Sequence, residues 1–233
     1  MSPTITAEIP RLASATLDRL ASVSAAVAHE AMDQTGAMEP PMALRTAGGP
    51  ICGQAITVSL PPGDNLMIHV GTEFAEPGDV LVIEARSQTA ATWGELATKN
   101  AMRRGVAGVV TGGNVRDVAE ISAADFPVFA PAVSHHGGAK DELGSVNVPV
   151  VVGGVSVDPG DVVVGDADGV TVVPHERASE VADAAESKRQ REREIDDAIE
   201  SGTPLLEAAD LTETVERLAA EADVDLPSRL AGE

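Results

Sequence analysis

The chain has 233 residues, and its 37 acidic and 16 basic side chains give a formal net charge of −21. So large a negative charge repels the phosphates of nucleic acids and the surfaces of anionic membranes, so we expect neither as a partner. Cys52 is the only cysteine, which excludes an intramolecular disulfide and a cysteine-based zinc cluster.

The composition also indicates a salt-rich cytoplasm. Only Lys99, Lys140 and Lys188 are lysines, so 13 of the 16 basic residues are arginines. Abundant hydrated carboxylates keep a protein dispersed in concentrated salt, which screens their mutual repulsion; the alternative is an ordinary acidic surface. The first ten residues do not resemble a signal peptide, and no apolar run approaches the roughly 18 residues of a membrane span. A cytoplasmic protein is therefore expected.

In chain order, the patterns predict a mixed α/β protein. Residues 13–32 have apolar side chains at helical spacing. From residue 52 to 173, short runs rich in valine and isoleucine alternate with Gly- and Pro-rich turns, as in an α/β domain. Pro-Gly-Asp occurs at Pro62, Pro77 and Pro159, where Pro followed by Gly suits a type II turn. The segment Asp166-Ala-Asp-Gly169 superficially resembles a calcium loop, but a hairpin turn between residues 162–164 and 170–173 is better supported.

Past Pro174 the composition changes. Residues 175–233 contain 17 acidic and 7 basic residues, and their alanine-rich helical pattern is interrupted at residues 201–204. A second helix is predicted from about Asp210, with an apolar face that needs a partner in its own core or in a neighbouring subunit. We therefore divide the chain into a domain at residues 1–174 and an acidic helical extension at residues 175–233.

Arg116 and Asp117 are the first candidate site residues. They follow a short apolar strand predicted at residues 106–110 and a turn at Gly112 and Gly113. Ligands of open α/β folds bind at such strand ends. An arginine can hold a carboxylate with two parallel hydrogen bonds, and an aspartate can bind a hard divalent cation. The alternative is a surface ion pair.

A helix predicted at about residues 93–104 supplies further candidates. Gly105 stops it, and its N-terminus directs free N–H groups outward, which favours anions. Gly94 would let a ligand approach the backbone closely. Glu95 has two interpretations: a site residue, or part of a capping box in which its side chain returns to the Thr92 N–H.

The acidic residue Glu95, followed after twenty residues by Arg116-Asp117, resembles the signature of a known family. This family is the class II pyruvate aldolases of the 4-hydroxy-4-methyl-2-oxoglutarate/4-carboxy-4-hydroxy-2-oxoadipate type, which share a fold with the regulator of ribonuclease activity A, RraA. Further segments resemble family blocks in family order, from about residue 27 to 174: Gly53-Gln-Ala-Ile-Thr-Val58, Gly63-Asp-Asn-Leu-Met-Ile-His69, Pro77-Gly-Asp-Val-Leu-Val-Ile83, Phe126-Pro-Val-Phe129 and Pro159-Gly-Asp-Val-Val-Val-Gly-Asp-Ala-Asp-Gly-Val170. The family usually has Asp where this chain has Glu95, which is one methylene longer.

The resemblance implies a fold, an assembly and a reaction. The fold is a layered β/β/α core of the swivelling, RraA-like type, here with the helical C-terminal extension. The assembly is a homotrimer or a hexamer made of two trimers, with sites between subunits. The reaction is cleavage of a 4-hydroxy-2-oxo acid to pyruvate and a second oxo acid.

The resemblance also assigns roles to residues. A divalent cation, Mg²⁺ or Mn²⁺, would bind Asp117 directly and Glu95 through water, and would act as a Lewis acid. Arg116 would hold the pyruvyl group together with the backbone N–H groups of the first helical turn, at Gly94, Glu95, Leu96 and Ala97. No Schiff-base lysine is then needed.

Two other functions remain open on the sequence. Decarboxylation of oxaloacetate produces the same enolate, so an oxaloacetate decarboxylase is an alternative enzyme. A non-catalytic binding protein like the ribonuclease regulator is the alternative outside enzymes. Among the histidines, His135 and His136 are better explained as loop residues than as metal ligands, whereas His69 could line the cleft or have a structural role.

The charge generates a prediction about salt. Carboxylate repulsion should be poorly screened at low ionic strength, because the Debye length is about 10 Å at 0.1 M salt and about 3 Å at 1 M. We expect the melting temperature, measured by thermal unfolding, to rise steeply as KCl increases from about 0.1 to about 2 M. A melting temperature that does not change over this range would contradict a halophilic origin.

Overall fold

A computed structural model describes residues 2–87 and 89–227. The chain divides between Ala185 and Glu186 into two compact units, which are described separately below. Within the described ranges, no helix is both long enough and apolar enough to cross a bilayer.

Twelve strands are present in the described residues of the first unit. They are β1 (Ala43–Leu44), β2 (Ile51–Ser59), β3 (Val80–Glu84), β4 (Ala91–Trp93), β5 (Gly108–Thr111), β6 (Asn114–Val115), β7 (Val128–Ala130), β8 (Ser145–Val146), β9 (Val150–Val152), β10 (Val155–Val157), β11 (Val162–Asp166) and β12 (Gly169–Val173). The helices of the chain are α1 (Ser14–Ala21), α2 (Ala25–Glu30), α3 (Leu66–Phe74), α4 (Glu95–Arg103), α5 (Val118–Ala123), α6 (Ala178–Glu200), α7 (Leu205–Ala208) and α8 (Thr212–Glu221), with a 3-10 turn at His175–Arg177.

The main sheet has the strand order β1-β7-β5-β3-β2-β11-β12, and β8 pairs with β2 beside this path. Strands β2, β3, β5 and β7 are parallel, whereas β1, β11 and β12 join antiparallel. Parallel neighbours need crossover connections, and α3, α4 and α5 provide them in turn. The carboxyl ends of the parallel strands therefore lie along one edge of the sheet. The segments that lead from β3 to β4 and from β5 to β6 begin at the same edge.

The two faces of the sheet are covered differently, because successive side chains of a strand point to opposite sides. Ile56 and Val58 belong to the apolar core that also contains residues of α3, α4 and α5. Ala55 belongs to a second core, shared with β9, β10 and Met38. A third core joins α1 and α2 to β11, β12 and the first turns of α6. This layered α/β arrangement confirms the predicted fold class.

Several local predictions are confirmed or refined. The predicted helix over residues 13–32 is two helices, α1 and α2, and Ser24 caps the second by accepting a hydrogen bond from the Val27 N–H. The hairpin is confirmed, since β11 and β12 pair antiparallel from Val162 opposite Val173. The carboxylate of Asp166 accepts hydrogen bonds from backbone N–H groups, as expected of a turn residue.

The Pro-Gly-Asp turns have the backbone that a type II turn requires. All three glycines have positive φ: Gly63 at 76°, Gly78 at 93° and Gly160 at 91°. The aspartates then add a contact that the turn type alone did not predict. Asp79 accepts a hydrogen bond from the Glu76 N–H at 2.8 Å, and Asp161 accepts one from the Asp158 N–H at 2.9 Å. In each of these two turns, the aspartate carboxylate accepts a hydrogen bond from the backbone N–H three residues earlier, and this contact closes the turn before the next strand.

The second unit is helical. Helix α6 ends at Glu200, which confirms the predicted break at residues 201–204. Asp210, predicted near the start of the next helix, has a left-handed backbone and pairs with Arg191, while α8 itself begins at Thr212. Because the first unit includes the first two turns of α6, the compact core extends to Ala185. The domain boundary at residue 174 stays a prediction.

Candidate functional site

Gly94 is the N-cap residue of α4, and its backbone is extended, with φ −162°. Trp93, predicted as the first helical residue, instead ends β4, and its buried indole N–H donates to the Thr98 hydroxyl at 2.8 Å. Of the two interpretations of Glu95, the capping box is not formed. Thr92 lies in β4, where its hydroxyl bonds Thr111, and the Glu95 carboxylate pairs with a lysine on its own helix.

The Arg116-Asp117 dipeptide is brought to this helix end by strand pairing. Strand β6, which immediately precedes Arg116, runs parallel to β4, which immediately precedes Gly94. The Arg116 N–H then donates to the Trp93 carbonyl at 3.0 Å. Asp117 has a left-handed backbone, with φ 56° and ψ 37°, and begins α5. Two segments separated by twenty residues in the chain are thus joined side by side.

The contact between Asp117 and the start of α4 is close. The Glu95 N–H donates to Asp117 Oδ2 at 3.0 Å. A Cβ atom added to Gly94 would lie 2.7 Å from the same oxygen and 3.1 Å from Arg116 Nε. A side chain at Gly94 would therefore displace these two groups, which gives Gly94 a reason that differs from the ligand approach predicted from the sequence.

Glu95, Arg116 and Asp117 thus lie close together at the surface. Arg116 Nε is 3.5 Å from Asp117 Oδ2, and the side chains are 47% and 36% exposed, respectively. An ion pair this exposed contributes little to stability, so it does not explain the placement by itself. The first-turn N–H groups of a helix have no partners within the helix, and here only the Glu95 N–H is bound to Asp117. The N–H groups of Leu96 and Ala97 lie beside it.

A neighbouring loop borders the site. Residues 133–139 run beside β4 and β6: Val133 pairs with Val115, and the Ala91 N–H donates to the His136 carbonyl at 2.7 Å. A Cβ atom on Gly137 would lie 3.1 Å from Arg116 Nη1. His135 and His136 are exposed loop residues with stacked rings, which agrees with the loop interpretation.

Two polar side chains that the sequence did not indicate meet beside β4: Lys140, which follows this loop, and Asn65, which precedes α3. Lys140 Nζ donates to Asn65 Oδ1 at 3.0 Å, and Asn65 Nδ2 donates to the Thr92 carbonyl at 3.5 Å. Asn65 lies in one of the family-like segments, which was the available signal, whereas nothing in the local sequence connects it to Lys140. His69, on the same helix as Leu66, is half-buried; burial lowers its pKa, and the Lys140 charge lowers it further.

Asp64 fixes the far end of this loop. Its buried carboxylate accepts hydrogen bonds from the N–H groups of Leu66, Asp141 and Glu142. Burial alone would raise the pKa of Asp64, but these three donors and the Lys140 charge outweigh it, so the pKa is lowered. The carboxylate therefore stays ionised near neutral pH and holds the loop beside α3.

The side chains at this point suit a hydrated cation better than an enclosed metal centre. Among the described residues, no three His, Cys, Asp or Glu side chains cluster as a metal-binding group. Mg²⁺ usually keeps several waters and takes one or two protein carboxylates, which is what Asp117 and Glu95 offer. One oxygen of Asp117 is used by the Glu95 N–H, and its second oxygen has no hydrogen bond within the described part of the chain.

The site is open on this chain. A separate cleft of about 550 Å³ is lined by residues that include Ser59, Glu84 and Arg86, but not by the candidate site residues. Two large apolar side chains flank the candidate site instead, Leu96 at 77% exposure and Val133 at 54%.

The layered α/β fold and this Arg-Asp site define a class of proteins, and comparison with known families identifies it. The chain belongs to the RraA-like family, since the family model described as aldolase/RraA matches residues 21–172. That match covers the whole parallel sheet, α4 and the Arg116-Asp117 segment.

Individual relatives agree with the family assignment. A protein of Halalkalibacterium halodurans named putative 4-hydroxy-4-methyl-2-oxoglutarate aldolase is 39% identical over 154 residues, or 64% of this chain and 73% of the relative. An uncharacterized protein from Pseudomonas syringae has a similar structure, with a TM-score of 0.77, 29% identity, and coverage of 86% of this chain and 100% of that chain. Streptomyces coelicolor RraAS2, titled an unusual member of the RNase ES inhibitor RraA protein family, gives a TM-score of 0.72 at 30% identity, covering 80% of this chain and 98% of that chain.

The close contact at Gly94 generates a structural prediction. In Gly94→Ala, the new methyl group should displace the Asp117 carboxylate and the Arg116 side chain, because they are the atoms nearest to it. Both side chains are partly exposed, so we expect them to move while the fold and the melting temperature stay close to the wild type. Gly49→Ala is the control, since a Cβ atom there meets no atom within 4 Å. A crystal structure of Gly94→Ala that retains the hydrogen bond between Glu95 and Asp117 would contradict this prediction.

Proposed function

We propose that this protein is a lyase that cleaves 4-hydroxy-2-oxo acids, such as 4-hydroxy-4-methyl-2-oxoglutarate, into pyruvate and a second oxo acid, with Mg²⁺ or Mn²⁺ as cofactor. The observation that carries the proposal is the convergence of Arg116, Asp117 and the N-terminus of α4 at one exposed point. Membership of the aldolase/RraA family and the aldolase names of several relatives support it.

Each group has a role in binding the 2-oxo acid. Arg116 presents a planar guanidinium that can hold the substrate carboxylate with two parallel hydrogen bonds. The N–H groups of Leu96 and Ala97, at the positive end of the α4 dipole, can donate to an anionic oxygen of the same group. Substrate bound in this way would place its 2-oxo group beside the Asp117 carboxylate.

Asp117 would hold the cation directly, and Glu95 would hold it through water. When bound, Mg²⁺ or Mn²⁺ supplies Lewis-acid stabilisation of the negative charge that develops on the pyruvyl fragment. In the cleavage step the bond between C3 and C4 breaks, and the C4 hydroxyl loses its proton and becomes the carbonyl of the second oxo acid. The electron pair of the broken bond stays with the pyruvyl fragment as its enolate, which takes up a proton at C3.

Oxaloacetate decarboxylation is the second activity that this site supports. Loss of carbon dioxide from oxaloacetate leaves the same pyruvyl enolate, so the same clamp and the same cation would serve it. A panel of 4-hydroxy-2-oxo acids and oxaloacetate distinguishes the two activities by their products. The alternative of a non-catalytic ribonuclease-regulator-like protein predicts no pyruvate from any of them, and the intact set of Glu95, Arg116 and Asp117 argues against it.

Variants of the three side chains test the assigned roles through the rate of pyruvate release at saturating Mg²⁺. Asp117→Asn should abolish the cation-dependent rate, because an amide binds a hard cation poorly. Arg116→Lys should reduce kcat/KM by about 100-fold or more, since an ammonium cannot reproduce the planar fork. Glu95→Gln should cost about tenfold, because its contact passes through water.

Two further variants calibrate this series. Glu95→Asp restores the residue usual in the family and should retain activity, and Arg103→Lys, near the far end of α4, should behave as the wild type. The test is the order in which the variants lose pyruvate release. An Arg116→Lys enzyme with near-normal pyruvate release would contradict the clamp, whatever the other variants do.

We also propose that the site is completed by a second copy of the chain, in a homotrimer or a hexamer. The exposed Leu96 and Val133 beside the site support this arrangement. Light scattering in molar KCl should therefore give the mass of three or six chains. An active monomer would contradict the proposal, whereas charged substitutions such as Leu96→Glu should reduce both the mass and the activity if it is correct.

A further inference from the structure

Lys99 lies one helical turn after Glu95 on α4. Its Nζ atom is 2.5 Å from Glu95 Oε1. Side chains of a helix lean toward its N-terminus, so the Lys99 ammonium lies over the first turn of α4 and therefore at the edge of the candidate site. Lys99 is one of only three lysines in the chain.

Two groups now act on opposite ends of Glu95. Its backbone N–H is bound by Asp117, which lies beyond the N-terminal end of α4, because helical N–H groups point that way. Its carboxylate is bound by Lys99, one turn further along α4. A Glu95 carboxylate that is paired with Lys99 is less available to a cation held by Asp117.

The length of the Glu95 side chain gives its ion pair with Lys99 an effect on cation binding. Glutamate has one methylene more than aspartate, so a carboxylate released from Lys99 could fold back toward Asp117 and bind a cation directly. The partly exposed positions of Glu95 and Lys99, at 35% and 64%, leave room for either arrangement. The same spacing also suits an ordinary helix-stabilising pair, so the effect of Lys99 on cation affinity is what separates the two roles.

We infer that Lys99 is a positioning residue that holds Glu95 on the surface of α4 and thereby weakens cation binding at Asp117. The inference rests on the proposed function, because it assumes that the cation binds at Asp117. In this arrangement, Lys99 lowers the affinity of the site for its cation. Asp117, water and substrate would then hold the cation, and Glu95 would not bind it directly.

Binding of Mn²⁺ to the full chain tests the inference without any assay of activity. The dissociation constant is obtained from the electron paramagnetic resonance signal of free Mn²⁺, at one fixed KCl concentration. Lys99→Gln should lower it by about threefold, in the range of a released surface ion pair. Lys99→Arg keeps a cation that can pair with Glu95, so it should match the wild type.

Two matched controls separate positioning from simple charge. Arg103→Gln removes a positive charge from the same helix, where its guanidinium contacts Asn100, and should leave the dissociation constant unchanged. Lys99→Gln is also made in the Glu95→Gln background. If Lys99 acts by holding Glu95, its removal should have no effect there.

The outcomes are distinguishable. A Lys99→Gln protein whose Mn²⁺ affinity is unchanged or weaker would overturn the inference alone, as would an equal tightening in the Glu95→Gln background. Absence of Mn²⁺ binding by the wild type, or an unchanged affinity in Asp117→Asn, would overturn the proposed cation site and the inference with it. Tighter binding in Lys99→Gln, retained wild-type affinity in Lys99→Arg and no effect without Glu95 would together support the inference.

Discussion

The hydrogen bond from the Glu95 N–H to Asp117 is the contact on which the candidate site depends. It joins the first turn of α4 to the dipeptide after β6, and it forms only because Gly94 has no side chain to obstruct it. The left-handed backbone of Asp117 directs the carboxylate to that place. Strand pairing brings the Arg116-Asp117 dipeptide to the start of α4, and this hydrogen bond fixes the Asp117 carboxylate against the first turn of the helix.

The fold supplies the framework for this contact. Helices α3, α4 and α5 cross over between parallel strands, and the short parallel pair of β4 and β6 aligns the segments before Gly94 and Arg116. The loop fixed by Asp64 then brings Lys140 to Asn65, which precedes α3 and contacts the Thr92 carbonyl of β4. The result is a polar site with exposed apolar neighbours, which is the arrangement that assembly with a second subunit would enclose.

The sequence predicted those features whose cause is local. Gly-rich turns placed Arg116 and Asp117 at a strand end, the stop at Gly105 placed α4, and the alternation of Val- and Ile-rich runs with turns indicated a mixed α/β fold. The family and the layered form of the core came from the resemblance of the Glu95 and Arg116-Asp117 spacing and the neighbouring segments to a known family. The capping box, one of the two interpretations of Glu95, does not form because Thr92 belongs to β4, a pairing that local propensity cannot reveal. Lys140 and Asn65 were missed because they meet across 75 residues of chain, through a loop without a regular pattern.

The central claim is that this surface point is a cation-dependent site for cleaving 2-oxo acids. The most direct measurement is pyruvate release from 4-hydroxy-4-methyl-2-oxoglutarate by the purified chain in molar KCl, first treated with a chelator and then supplied with Mg²⁺ or Mn²⁺. We expect negligible release after chelation and full recovery when the cation is restored. Release at the same rate in the presence of the chelator, or none with any cation, would contradict it.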